Sequence, residues 1–282
     1  MRWTPGGSSS DVEDRRGQGG RFGGGMRMGA GGFLVLLVLS LIFKRDFFSL
    51  VGAGAPAEDT GGAAAGPVQT TPEEDERQQF VTFVLNDAQD TWTKILAERG
   101  QQYEHAKLVL FRDATQTACG VGQAAAGPFY CPGDNRVYID LGFYDELRDR
   151  FGAAGDFAQA YVIAHELGHH VQRLLGTEAK VRRAQQQNPD EANDLSVRME
   201  LQADCYAGVW GHSTQQRNIL EQGDVEEGLN AAAAVGDDRI QASSGGGVHP
   251  ESFTHGSAKQ RSSWFNRGFE TGRLEDCDTF GS

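Results

Sequence analysis

His165-Glu166-Leu167-Gly168-His169 sets two imidazoles four residues apart, with a carboxylate beside the first. In an α-helix, positions i and i+4 lie on one face, so His165 and His169 can bind one Zn²⁺. Glu166 then stands where it can take a proton from an attacking water. Residues 156–175 around the motif carry apolar side chains at helical spacing, and Gly176 follows as a C-cap. The bland alternative is a surface helix with two unrelated histidines. Against it, an unpaired His and Glu in so apolar a stretch would be costly to bury. A catalytic zinc site needs a third protein ligand and an open position. The spacing that would supply a third histidine falls on Leu175, so that ligand must come from elsewhere. Residues 196–210 read as a second helix, with Glu200 and Asp204 at i and i+4. Glu200 is the candidate ligand. Asp204 is the candidate acceptor for the free ring N–H of a ligand histidine, fixing its tautomer. His170 is turned about 100° from His169 and is not expected to ligate.

A tetrahedral intermediate gains from a further donor near its oxyanion. Residues 253–261 offer His255 and Arg261 for that task. Thr254 or Ser257 could cap a helix through Arg261, Trp264, Phe265 and Phe269, and His255 and Arg261 could equally serve that helix alone.

These side chains need a scaffold, and the spacing predicts one of α+β class: a mainly helical domain with a small β-sheet. Residues 72–100 read as a long helix, 107–111 and 136–141 as strands, and 143–151, 156–175, 191–211, 224–235 and 257–270 as helices. Residues 176–195 are polar and read as a connection that turns the chain back. The strand with Val137, Tyr138 and Ile139 is the candidate edge that pairs with a substrate backbone, its alternative being an internal core strand. The mixed polar and Gly/Ala stretch 113–124 has no assigned role.

The chain has 282 residues, and its first quarter cannot build a core. Residues 17–32 are Gly/Arg/Met-rich and 52–72 Ala/Gly/Pro/Thr-rich. Between them, 33–43 is wholly apolar apart from Ser40, short for a span of about 20 residues but with disordered-looking flanks. Some 30 residues precede it, long for a signal peptide. The expected organisation is therefore a disordered cytoplasmic tail over 1–32, a signal anchor over 33–51, a flexible linker over 52–72 and one catalytic domain over 73–282. Arg2, Arg15, Arg16, Arg21 and Arg27 precede the anchor, so the positive-inside rule puts the N-terminus in the cytoplasm and the domain outside, on a single-pass bacterial membrane protein. Cys119, Cys131, Cys205 and Cys277 all lie in the domain, an even count that suits an exported protein with disulfides. Three pairings are open. Cys119–Cys131 with Cys205–Cys277 is favoured, closing the Gly/Ala-rich loop and tying the tail to the Glu200 helix. Residues 46–282 carry 19 basic and 36 acidic side chains, a formal charge of −17, which argues against nucleic acid as a partner.

The stretches around Thr117, Gly127, Val137, His165, Glu200 and Pro250 (among them His-Glu-Leu-Gly-His-His-Val-Gln and Glu-Leu-Gln-Ala-Asp-Cys-Tyr-Ala-Gly-Val-Trp) resemble the predicted neutral zinc metallopeptidase family. They span roughly residues 73–280. The resemblance implies a zinc-dependent peptidase of the zincin type, with Glu200 where the family places its Glu-x-x-x-Asp ligand. His255 and Arg261 also resemble the His-Pro-x4-Arg element of membrane CAAX-type zinc peptidases, where the pair acts near the transition state. Here Gly256 replaces the proline. The expected protein is an endopeptidase with one Zn²⁺ per chain, a peptide or protein substrate, and Glu166 as general base. Its rivals are another zinc amide hydrolase, and an anchored binding or assembly protein with a vestigial site.

Overall fold

Thr71 starts the first long helix, α1 (Pro72–Ala97). Its hydroxyl accepts from the Glu74 N–H, and the Glu74 carboxylate accepts in return from the Thr71 N–H. Pro72 suits the first turn, where its missing N–H is not needed, and Glu73, Glu74 and Asp75 match the positive end of the helix. Phe80, Val81, Val84, Leu85, Ala88 and Trp92 are buried along it. The structure is a computed structural model that describes residues 1–7, 9–17, 68–243, 245 and 247–281.

Among the described residues there are six short strands, numbered in chain order: β1 (Val12–Asp14), which precedes α1, then β2 (Lys107–Leu110), β3 (Ala114–Thr117), β4 (Gly120–Gln123), β5 (Phe129–Cys131) and β6 (Arg136–Ile139). The main sheet runs β1-β2-β6-β5, with β1, β2 and β6 parallel and β5 antiparallel to β6; β3 and β4 form a separate hairpin. The rest is helical: α2 (Phe143–Asp149), α3 (Asp156–Leu174), α4 (Thr177–Gln187), α5 (Ala192–Gln216), α6 (Asp224–Ala234), α7 (Asp237–Ser243) and α8 (Ala258–Thr271). One face of the sheet (Leu108, Leu110, Val137, Ile139) shares a core with α1 and with Phe157, Ile163 and Leu167 of α3. The α+β expectation holds as a mainly helical domain on a small sheet.

Close helix approach sets the geometry. A Cβ on Gly168 would lie 2.9 Å from the Ala203 carbonyl oxygen of α5, so only glycine lets α3 and α5 lie this near. Gly268 on α8 does the same against α5, where a Cβ would run into the Cys205 carbonyl. The disulfides pair as favoured, Cys119–Cys131 and Cys205–Cys277, with Cα separations of 5.9 and 5.6 Å.

Three expectations change. Val137, Tyr138 and Ile139 are fully buried in β6, an internal strand between β2 and β5, and cannot receive a substrate; the edge beside the helices is β5. The tail expected to be disordered over 1–32 is structured in its first half. Val12, Glu13 and Asp14 pair with Leu108, Val109 and Leu110, Arg16 bonds Asp14 and Gln78 at 4% exposure, and the Met1 α-amino group lies 2.6 Å from Asp156 at the start of α3. The polar connection 176–195 contains a helix, α4, with Val181 as its one buried residue. The expected anchor over 33–51 lies outside the described residues, and among those described no helix is long and apolar enough to cross a membrane.

Candidate metal centre

Helices α3 and α5 present the site. Nε2 of His165 lies 3.2 Å from Glu200 Oε2, and Nε2 of His169 lies 3.4 Å from Glu200 Oε1. The ligand atoms of these three residues all fall within 4.8 Å of one another. Two imidazole nitrogens and one carboxylate, open on one side to a cleft, form the donor set of a catalytic zinc site, so the residues fit the ion. Their other ring nitrogens are engaged elsewhere. His165 Nδ1 lies 2.8 Å from Asp204 Oδ1, and His169 Nδ1 lies 2.9 Å from Gln172 Oε1. Each ring therefore donates from Nδ1 and turns an Nε2 lone pair inward, the arrangement that histidine ligands need.

Behind His165 is an ionic cluster. Asp204 is fully buried and accepts from Arg261 Nε (2.8 Å), Arg261 Nη2 (3.0 Å) and the Tyr161 hydroxyl (2.5 Å). Burial opposes its charge, but Arg261 and His165 outweigh this and hold the carboxyl below its usual range. Burial likewise opposes the His165 imidazolium, yet the charge of Asp204 and the hydrogen bonds to Asp204 and Glu200 push its pKa up to about 10. Glu200 is half-buried; burial opposes its charge, but the two histidines outweigh this and hold it well below the normal carboxylate range. A cation fits this floor; it would replace the protons that the histidines otherwise keep.

The floor opens into a cleft of 1180 Å³, lined among others by Phe129, Tyr130, Phe143, Val162, His165, Glu166, His169, Met199, Glu200 and His255. Glu166, adjacent to His165 on α3, is 8% exposed on this lining. His255 borders the same cleft from the loop before α8. Asp237, the first residue of α7, builds that loop: its Oδ2 accepts the N–H groups of Thr254, His255 and Gly256 at 2.8, 2.7 and 3.1 Å, and its Oδ1 lies 3.3 Å from His255 Nδ1. Chiefly through that contact, Asp237 raises the His255 pKa above its ordinary value.

The structure thus brings His165, Glu166, His169, Glu200 and His255 to one cleft, with Asp204 behind the first. Val137, Tyr138 and Ile139 are not on it. Arg261 borders it at 3% exposure; its Nε and Nη2 bond Asp204, its Nη1 donates to the Val235 carbonyl (3.2 Å), and its Nη2 also lies 3.8 Å from Glu200 Oε2, so its charge offsets Asp204 beside the ligand cluster. The sequence reading missed three supporting side chains. Gln172 follows His169 by three residues and Tyr161 precedes His165 by four, both spacings that share a helix face. His170 is buried against β5: Tyr130 donates to its Nδ1 (2.9 Å), and its Nε2 donates to the Glu104 carbonyl (2.6 Å).

Two histidines and a glutamate from paired helices define a metallohydrolase type of centre. The family described as "Putative neutral zinc metallopeptidase" matches residues 1–280, and the chain belongs to it. The chain is 51% identical over 288 residues to an uncharacterized Escherichia coli protein, YpfJ, covering 100% of this chain and 99% of that one. Uncharacterized proteins of Mycobacterium bovis and Mycobacterium tuberculosis are 44% identical over 191 residues, 64% of each chain. No solved structure matches the chain at a significant level.

Proposed function

We propose that the protein is a zinc-dependent endopeptidase. The observation that carries this reading is the convergence of His165 Nε2, His169 Nε2 and the Glu200 carboxylate at the floor of a cleft that also holds Glu166. Zinc held there would lower the pKa of a water and polarise the scissile carbonyl. Glu166 takes the proton from the attacking water and delivers it to the leaving amine. His255, held by Asp237, donates to the developing oxyanion. Asp204 keeps His165 in its ligating orientation, and Arg261 keeps Asp204 charged in a buried place.

The substrate lies extended along β5. That strand is the free edge of the sheet on the cleft side, and Phe129 and Tyr130 line the cleft beside it. An unpaired strand edge supplies main-chain donors and acceptors, and the apolar wall of Phe129, Phe143 and Val162 favours bulky apolar side chains. Two disulfides support an oxidising compartment for the domain.

The test is Glu166→Gln. The variant should bind zinc as wild type does and cleave a pool of internally quenched peptides about 10²–10⁴-fold more slowly. Near-wild-type turnover would remove Glu166 from the mechanism. Equal zinc binding with no cleavage by either protein would favour the binding-protein reading.

A further inference from the structure

We propose that a relay of two buried glutamine amides, Gln172 and Gln202, orients His169 and ties it to the disulfide-closed C-terminal tail. The inference rests on the zinc reading above. It concerns what holds the outer face of the second imidazole: its Nε2 meets the Glu200 carboxylate, but its Nδ1 meets a neutral amide.

The relay runs in one direction. Gln172 Oε1 lies 2.9 Å from His169 Nδ1. Its Nε2 donates to the Met199 carbonyl (2.7 Å) and to Gln202 Oε1 (3.1 Å), and Gln202 Nε2 donates to the Cys277 carbonyl (3.0 Å). Gln172 is fully buried and Gln202 is 6% exposed, so water cannot substitute for a lost partner. A side-chain amide can be turned end for end, but here the ends are fixed. Backbone carbonyls only accept, so Met199 demands the nitrogen of Gln172, and Cys277 demands the nitrogen of Gln202. With Gln172 Oε1 thereby facing the ring, His169 must carry its proton on Nδ1. Its Nε2 is left as the free lone pair that a metal needs. The tautomer of His169 is thus set by two main-chain carbonyls on opposite sides of the relay.

One of those carbonyls belongs to the tail. Cys277 is bonded to Cys205, one helical turn after Gln202 on α5. The disulfide therefore holds the acceptor over the amide that needs it. Gln172 and Gln202 are positioning residues: neither lines the cleft, and Gln202 hydrogen-bonds Gln172 and the Cys277 carbonyl.

The experiment uses the full chain and zinc alone, so it needs no substrate. Methionine has nearly the shape of glutamine without its hydrogen bonds. Gln172→Met and Gln202→Met are compared with wild type by chelator competition for zinc, by the visible spectrum of the cobalt(II)-loaded protein, and by thermal unfolding. Gln172→Met should weaken zinc binding about 10–100-fold. Gln202→Met should weaken it by a smaller factor and shift the cobalt spectrum the same way. A side chain that merely packed would lower the melting temperature and leave the spectrum unchanged. Folded variants with wild-type affinity and spectrum overturn the relay. Loss in Gln172→Met alone overturns the link to the tail. A wild-type chain that binds no zinc overturns the metal reading itself, and the relay with it. If Gln202→Met does not fold, Gln202→Asn, which keeps the amide but shortens its reach, replaces it with the same expected outcomes.

Discussion

Behind His165 stands a buried carboxylate, balanced by a guanidinium and a phenol. Behind His169, one turn further along the same helix, stand two neutral amides that end on a backbone carbonyl. The first arrangement strengthens the basicity of its imidazole and needs a counter-charge, which α8 supplies through Arg261. The second fixes direction only. It adds no charge, so it needs no counter-charge from a further helix: beyond α5, which carries Met199 and Gln202, a short tail held by a disulfide suffices. One metal centre can thus be braced electrostatically on one side and by geometry alone on the other.

The comparison is easiest to break on the ionic side. Asp204→Ala leaves Arg261 buried without its partner and should destabilise the fold by about 3–5 kcal/mol. Urea unfolding would measure it, and a loss below 1 kcal/mol would mean the cluster is not a unit. Gly168→Ala strikes both braces together, because it pushes α3 from α5. Its added methyl, facing a backbone oxygen at 2.9 Å, should cost about 3 kcal/mol, and zinc affinity should fall with it. On the neutral side, Gln172→Met should cost about 1–2 kcal/mol in the same denaturation assay, less than Asp204→Ala. If the order is reversed, the amide side carries more than its chemistry suggests.

The smallest effect is a slope with pH. Because the pKa of His165 is raised to about 10, the stability it contributes after metal removal is complete below pH 6.5 and is lost as pH rises toward 10. Thermal melts of chelator-treated protein should therefore fall across that window, while zinc-loaded protein, with no proton left on Nε2 to lose, should stay flat. At the acid end the sign reverses: Asp204 and Glu200, both held low, lose their contribution as pH drops through their folded pKa values. Asp204→Asn should flatten the alkaline slope, whereas Gln172→Met should not.

The residues that fold and react by local spacing were legible in the sequence. Helices α3 and α5 announced themselves by four-residue recurrences, and the same recurrences put His165, His169, Glu200 and Asp204 on inward faces. What failed depends on who sits beside whom. Val137, Tyr138 and Ile139 read as a strand by composition, and their role as the substrate-pairing edge came from the zincin resemblance alone, yet an unbroken apolar run marks a strand covered on both faces. The true edge, β5, is three residues long, too short to show alternation. β1 reads Val-Glu-Asp, polar enough to pass for a tail, and α4 has one buried side chain, too few to mark a stripe. Gln172 was invisible because a neutral amide does not advertise a role, although its three-residue spacing from His169 was there to be read. Arg261 was found, but it faces Asp204, a partner on another helix that spacing cannot reveal.

The pairing of β1 with β2 also imposes a parity rule. Residues 12–14 and 108–110 are paired neighbours, so they occupy the same side of any bilayer. A path that leaves at residue 17 and returns at residue 68 must then cross an even number of times, zero included. Between those points the sequence offers one apolar run, 33–43, which is less than the roughly 20 residues of a single crossing. With β1 docked on β2, residues 12–14 and the domain strand lie in one compartment.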